Sequence, residues 1–226
     1  MLHNFILPIS FPIIPSFHKN LILTNVMRSY SSYDNIVQWY DYTRSRELFE
    51  KSYLDKCINL VCDNPKVLDI GCGMGEPIGK YIIEQNLDYS GIDSCEGLIN
   101  IAKQRFPSHD FIVGDMRTLN LRTNFDFLIC WNSLFHLNHE EQKHMFKTLS
   151  KHCSNGAILL FTSGPDKGEI WSDNGGEMLY HSSLSPNDYK ELLAINCFDI
   201  IEHSIEDINC GNSTIWICQH NTMNYL

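Results

Sequence analysis

Basic residues are scarce in this sequence. Its 226 residues carry 17 Lys and Arg against 27 Asp and Glu, a formal charge of −10 at pH 7. A surface this acidic lacks the basic footprint of a nucleic-acid groove, so no nucleic-acid partner is expected. Paired cysteine motifs are also missing. The nine cysteines are scattered singly with no C-x-x-C, which argues against a disulfide framework and for a reducing compartment, expected to be cytoplasmic. Cys130, Cys197 and Cys218 lie in apolar runs and are expected as buried free thiols. The spacing of His136, His139, His144 and Cys153 matches no zinc pattern, and no metal is expected. No uninterrupted apolar span is long enough to cross a bilayer, and the N-terminus lacks the positive charge that opens a secretory leader. Its apolar stretch is cut by Pro8, Pro12 and Pro15. Residues 1–29 are therefore expected as an extension outside a single domain over residues 30–226.

The hydrophobic fraction of 43% and the charged fraction of 19% are those of a globular protein. The chain is organised around KVLDIGCGMGEPIGKYII, residues 66–83. Val67, Leu68 and Ile70 read as a strand buried on both faces. Gly71, Gly73 and Gly75 then allow a sharp turn and close approach of a ligand. Pro77 suits the first position of a helix whose buried face is Ile78, Tyr81 and Ile82. Strand, glycine turn and helix in this order build the nucleotide site of doubly wound α/β proteins. A third glycine in the dinucleotide spacing G-x-G-x-x-G is missing, because Glu76 stands there. Two carboxylates, Asp69 and Glu76, beside a pyrophosphate would repel it, which disfavours a nicotinamide oxidoreductase. They suit a cationic ligand without phosphate.

Asp69, Gly71, Gly73 and Gly75 together match D/E-x-G-x-G-x-G. In this the chain resembles the class I S-adenosylmethionine-dependent methyltransferases. The resemblance extends over roughly residues 33–219. It includes a W-[DN]-S-x-F-H-L segment at Trp131–Leu137, T-S-G-P at Thr162–Pro165 and L-Y-H-x-S-L at Leu179–Leu184, as in small bacterial stand-alone members. It implies a Rossmann-like, doubly wound α/β fold. The sheet would have seven strands, mostly parallel with an antiparallel last strand, and helices on both faces. It implies S-adenosylmethionine as cofactor, held by Asp69, Gly71, Cys72, Gly73, Gly75, Asp93, Ser94, Asp115, Met116 and Trp131.

Several of these residues have a reading of their own. Asp93 ends the short strand YSGID about twenty residues past the glycines, where an acid accepts hydrogen bonds from ribose hydroxyls; capping the next helix is the competing role. The resemblance gives Asp115 the adenine amino group and Met116 the ring. Trp131 and His136 leave the end of a strand at Phe125–Cys130, outside which ligands bind in open sheets. No N-P-P-Y sequence follows that strand, which disfavours a flipped base as substrate.

Upstream, Tyr33–Tyr42 and Ser45–Val61 read as amphipathic helices, the second with Leu48, Phe49, Tyr53 and Leu54 on its buried face. The resemblance places Tyr33 or Tyr40 near the methionine end of the cofactor; packing within a cap helix is the alternative. Downstream, Asn138 with Glu141 forms a capping box, Gly156–Thr162 a fifth strand, and Ser185-Pro186 a helix start. Ser163–Ser185 shows no periodicity and reads as a long loop. Phe198–Ile205 and Ser213–Cys218 read as two closing strands.

Methyl transfer from a sulfonium leaves a neutral thioether, so the protein mainly aligns donor and acceptor and excludes water. A hydroxyl or ammonium acceptor also needs a base. His136 and His181 are the candidates, since histidine titrates near neutrality. Phe135 and Tyr180 join Tyr33 and Tyr40 as candidate walls for a small-molecule acceptor. A cofactor-binding regulatory protein without turnover is the alternative.

Overall fold

The computed structural model describes residues 32–222. The expected extension over residues 1–29 lies outside the described residues. A short helix α1 (Val37–Thr43) and helix α2 (Lys51–Leu60) precede the first strand. Then come β1 (Lys66–Ile70), α3 (Ile78–Glu84), β2 (Asp88–Asp93), α4 (Glu96–Arg105), β3 (Asp110–Val113), β4 (Phe125–Cys130), α5 (His139–His152) and β5 (Cys153–Ser163). A hairpin of β6 (Gly168–Asn174) and β7 (Glu177–Ser183) follows. The chain closes with α6 (Pro186–Ile195), β8 (Phe198–Asp207) and β9 (Ser213–His220).

Seven strands form one sheet in the order β3-β2-β1-β4-β5-β9-β8. β1 pairs in parallel with β2 and β4, and β4 with β5. The last strand, β9, runs antiparallel between β5 and β8. The alternation of a strand explains both cores. Leu68 and Ile70 face α5 and α6 through Phe146, Leu149, Tyr189 and Leu193. Val67, Phe127 and Ile129 face α2, α3 and α4 through Leu54, Ile82 and Ile99. Strand order reverses between β1 and β4, and their carboxyl ends diverge there to leave the crevice expected of a doubly wound sheet.

Both helix caps read from the sequence are present: Asn138 and Glu141 exchange side-chain bonds with each other's backbone N–H, as do Ser185 and Asp188. Four expectations need correction. The second helix starts at Lys51 rather than Ser45, because the Arg46 guanidinium takes the carbonyls of Asp41 and Arg44, and Phe49 is exposed. Pro77 stands at the N-cap of α3, one residue before the helix. Cys197 is only half-buried, at φ +63° past the end of α6. The stretch read as a long loop is the β6–β7 hairpin. Gly175 and Gly176 make its two-residue turn at φ +64° and +90°, the signature of a type I′ connection.

Candidate active site

The cleft sits where β1 and β4 part. The turn after β1 is held from behind by the Ile92 carbonyl, which accepts the N–H groups of Gly71 and Cys72 at 2.8 and 3.1 Å. Gly71 needs to be glycine: its φ is +81°, and a Cβ there would lie 2.3 Å from Ser133 Cβ on the strand-4 side. Gly73, at φ +55°, faces the cleft, where a Cβ would meet only the Tyr40 ring at 3.6 Å. Opposite stands Asp93 at the tip of β2. One carboxylate oxygen accepts the Gly73 N–H at 2.9 Å and the other the Cys95 N–H at 2.9 Å. Asp93 thus ties the glycine turn to the start of α4. Burial raises its pKa, and the backbone donors act against that rise.

Gly71, Gly73, Asp93, Ser94, Met116 and His136 line the cleft, with Tyr33 and Tyr40 closing it from the N-terminal side. Leu98, Asn132 and Ser133 line it too. These three were not singled out in the sequence. Asn132 follows β4 at φ +51°, a conformation Asn tolerates. Its N–H donates to the Thr162 hydroxyl, which donates in turn to Asn132 Oδ1. Ser133 keeps a buried hydroxyl with no hydrogen-bond partner among the described residues. For Asn132 and Ser133 the available signal was position, just after the strand at the switch point.

Other sequence candidates lie off the cleft. Asp69 points into the apolar face toward α3 and α4, where it accepts from the Tyr89 hydroxyl at 2.9 Å. Burial pushes its pKa up to about 7. The Cys72 thiol packs over Gly91 of β2, and Gly75 packs beside Phe106 and Phe111. Trp131 is buried in the core on the α2–α4 side. Asp115 caps a 3-10 turn and is gripped by the backbone and guanidinium of Arg117. Burial works against the charge, but those bonds hold its carboxyl below the usual range. Glu76 also leaves the cleft, because its carboxylate pairs with Arg46 at 3.1 Å and Arg105 at 3.2 Å. The expectation that it repels a pyrophosphate therefore fails, as its charge is already compensated on the outer side of the turn.

Residues 67–156 match the family described as a methyltransferase domain. The phosphoethanolamine N-methyltransferase of Plasmodium falciparum is 25% identical over 155 residues, covering 64% of this chain and 58% of that protein. The chain spans between 42% and 61% of the lengths of the first curated relatives it matches. Among solved structures, an S-adenosylmethionine-dependent methyltransferase from Clostridium acetobutylicum superposes with a TM-score of 0.65 at 14% identity, covering 84% of this chain and 99% of that one. The amino pentose methyltransferase CalS10 of Micromonospora echinaspora, solved with S-adenosylmethionine bound, gives 0.64 at 14%, covering 81% and 95%. At those identities the structures speak for the fold.

Residues 67–156 are similar to a methyltransferase domain, and the fold around them is that of S-adenosylmethionine-dependent methyltransferases.

One end of the cleft is built around His136. Its Nδ1 lies 2.9 Å from the Tyr180 carbonyl, and its Nε2 lies 3.1 Å from the Tyr33 hydroxyl. A carbonyl only accepts, so Nδ1 carries the hydrogen and Nε2 presents its lone pair to the Tyr33 O–H. His181 comes from β7, not from a loop, and packs behind His136 with ring centroids 4.9 Å apart and planes tilted by 41°. Phe135 packs on both rings. The Tyr180 side chain is buried against Trp171, away from the cleft. Among the described residues, no group of three or more His, Cys, Asp or Glu is arranged to hold a metal. No helix among them is long and apolar enough to cross a membrane.

Burial lowers the His136 pKa to about 4. Burial and the neighbouring His136 lower that of His181 to about 3. Both rings are neutral in the fold at neutral pH. An unfolded imidazole protonates below about pH 6.5, so the stability these rings contribute is complete above that value and is lost as pH falls toward their folded values. His181→Gln removes one such loss. Relative to wild type, the variant should gain about 2 kcal/mol between about pH 7.5 and about pH 5. Urea unfolding at the two pH values measures this, and a pH-independent difference would show that His181 is not held neutral.

Proposed function

We propose that this chain binds S-adenosylmethionine in the β1–β4 crevice and transfers its methyl group to a small-molecule acceptor. The observation that carries the reading is the composition of the cleft wall. A glycine turn faces an anchored carboxylate, Asp93, and no Lys or Arg is among the lining residues that are described. Such a wall suits a ribose and a cationic sulfonium, and offers nothing to a pyrophosphate. Asp93 would take the ribose hydroxyls, with Ser94 beside it. Leu98 and Met116 would flank the adenine. The relatives' names, among them phosphoethanolamine N-methyltransferase, support transfer to a small acceptor.

The transfer itself is an in-line displacement with a neutral leaving group, so no acid is required. For a hydroxyl or amine acceptor, Tyr33 and His136 supply the path for the departing proton. The acceptor's proton passes to the Tyr33 oxygen while the Tyr33 proton moves to His136 Nε2. The Tyr180 carbonyl steadies the imidazolium that forms by accepting from Nδ1.

Calorimetric titration with S-adenosylmethionine and S-adenosylhomocysteine tests the binding half, and absence of binding for both at submillimolar concentration counts against it. The chemistry is tested by release of S-adenosylhomocysteine in the presence of a small-molecule cell extract. Binding without release from any fraction would favour the non-catalytic, regulatory reading.

A further inference from the structure

Four charged side chains close a ring at the rim of the cleft. Asp41, near the end of α1, takes Arg46 on one oxygen at 2.7 Å and Arg105 on the other at 2.8 Å. Glu76, directly after the glycine turn, takes the same two arginines at 3.1 and 3.2 Å. Anions and cations therefore alternate, each between two of opposite sign. Asp41 and Arg46 belong to the N-terminal segment. Glu76 and Arg105 belong to the body, in the turn and at the end of α4. The side chains are 16–38% exposed, so salt still reaches the ring.

What the ring holds in place is the roof of the cleft. Tyr40 precedes Asp41 and lays its ring over Gly73. Tyr33 packs edge-on against Tyr40 and bonds His136. The far side of the roof touches the hairpin, with Trp39 over Gly175 and Asn35 donating to Glu177. Under this roof the cleft encloses only about 50 Å³, room for a few waters. Ligand pockets are typically roughly 300–1,000 Å³. The helix of the roof is short: α1 has seven residues, no side-chain cap and no fully buried residue of its own, while Ile36 before it is buried and Tyr33, Val37 and Tyr40 pack on Met74, Cys95 and Leu98. A helix that short does not hold itself together in water.

We propose that residues 32–46 are a cover that swings off the glycine turn to admit the cofactor, and that Asp41, Arg46, Glu76 and Arg105 are the latch that sets how often it opens. These are positioning residues, acting on the ligand through Tyr33 and Tyr40. The inference rests on the cofactor reading above. A fixed brace, with only the tyrosine rings rotating aside, is the contrary arrangement, and the two differ in what breaking the ring does.

The test uses the full chain, with S-adenosylhomocysteine as the probe in stopped flow and intrinsic tryptophan fluorescence as the signal. That ligand carries no net charge, so long-range steering adds nothing to its salt dependence. Wild-type association should accelerate with added salt. Asp41→Asn and Arg105→Gln should each raise both association and dissociation rates about 3- to 10-fold at low salt, and flatten the salt dependence. Arg105→Lys, which keeps the charge, should fall between. The double variant should be no faster than the faster single, because both cut the same ring. Hydrogen exchange without ligand gives a second readout: the peptide over 32–46 should exchange faster in both variants, with β4 and β5 unchanged. Unaltered exchange there, or rates within about twofold of wild type, overturns the latch. Faster exchange in a protein that never binds the probe overturns the cofactor reading and leaves the latch standing.

Discussion

Asp93→Ala is expected to weaken S-adenosylhomocysteine binding by about 1.5–3 kcal/mol, roughly 10- to 150-fold. The carboxylate has two tasks. Each oxygen accepts one backbone N–H, from Gly73 and from Cys95, and each has a further lone pair available to the cleft. Alanine removes the contact to the ribose and releases the glycine turn from the start of α4 together. The two freed donors also cost stability, about 1–3 kcal/mol for each one that stays buried without water. Asp93→Asn separates these tasks. Its amide keeps one accepting oxygen but turns an NH₂ toward the second backbone donor, so binding should fall between wild type and Asp93→Ala. Calorimetry gives the affinities, and thermal unfolding gives the share due to folding. Wild-type affinity in a folded Asp93→Ala protein would remove Asp93 from the cofactor site.

That residue was legible in the sequence because its cues are local: a strand, a carboxylate at its end, and a fixed distance from the glycines. The sheet was legible for the same reason, since each buried strand is a short apolar run. The hairpin had a cue as well, the Gly175-Gly176 pair. Its strands hid themselves, because β6 alternates only between half-buried and exposed positions and gives no clean apolar face. Side-chain partners across the fold were not legible. Nothing near Glu76 announces Arg46 or Arg105, which reach it from the roof and from α4. A carboxylate in a ligand-binding turn therefore read as part of the ligand's environment. His181 was similarly out of reach: its place behind His136 depends on the hairpin register, and its neighbour is contributed by the turn after β4. Asp69 illustrates a subtler limit. The motif identifies it, but strand alternation turns it toward Tyr89 and away from the crevice.

The glycines of that turn are expected to fail in two different ways, and the difference locates the ligand. Gly71→Ala places a methyl 2.3 Å from Ser133 Cβ at φ +81°. Neither strand can retreat, because the Gly71 and Cys72 N–H groups are fixed on the Ile92 carbonyl and Ser133 follows directly from buried β4. Left-handed strain of about 1–2 kcal/mol and overpacking of about 1–3 kcal/mol together predict a loss of about 2–5 kcal/mol. That is a fall in Tm of roughly 5–15 °C for a domain of this size. Gly73→Ala meets neither obstacle in full: φ is +55°, and its methyl reaches only the Tyr40 ring at an ordinary 3.6 Å. It should unfold within a few degrees of wild type, yet bind S-adenosylhomocysteine at least about tenfold more weakly, since the methyl occupies the wall a ligand must approach. Thermal unfolding and calorimetry on the two variants decide the matter. A stable, normally binding Gly73→Ala protein would mean that no ligand passes over this turn. An unaffected Gly71→Ala protein would mean that the crevice between β1 and β4 is wider than its close contact with Ser133 implies.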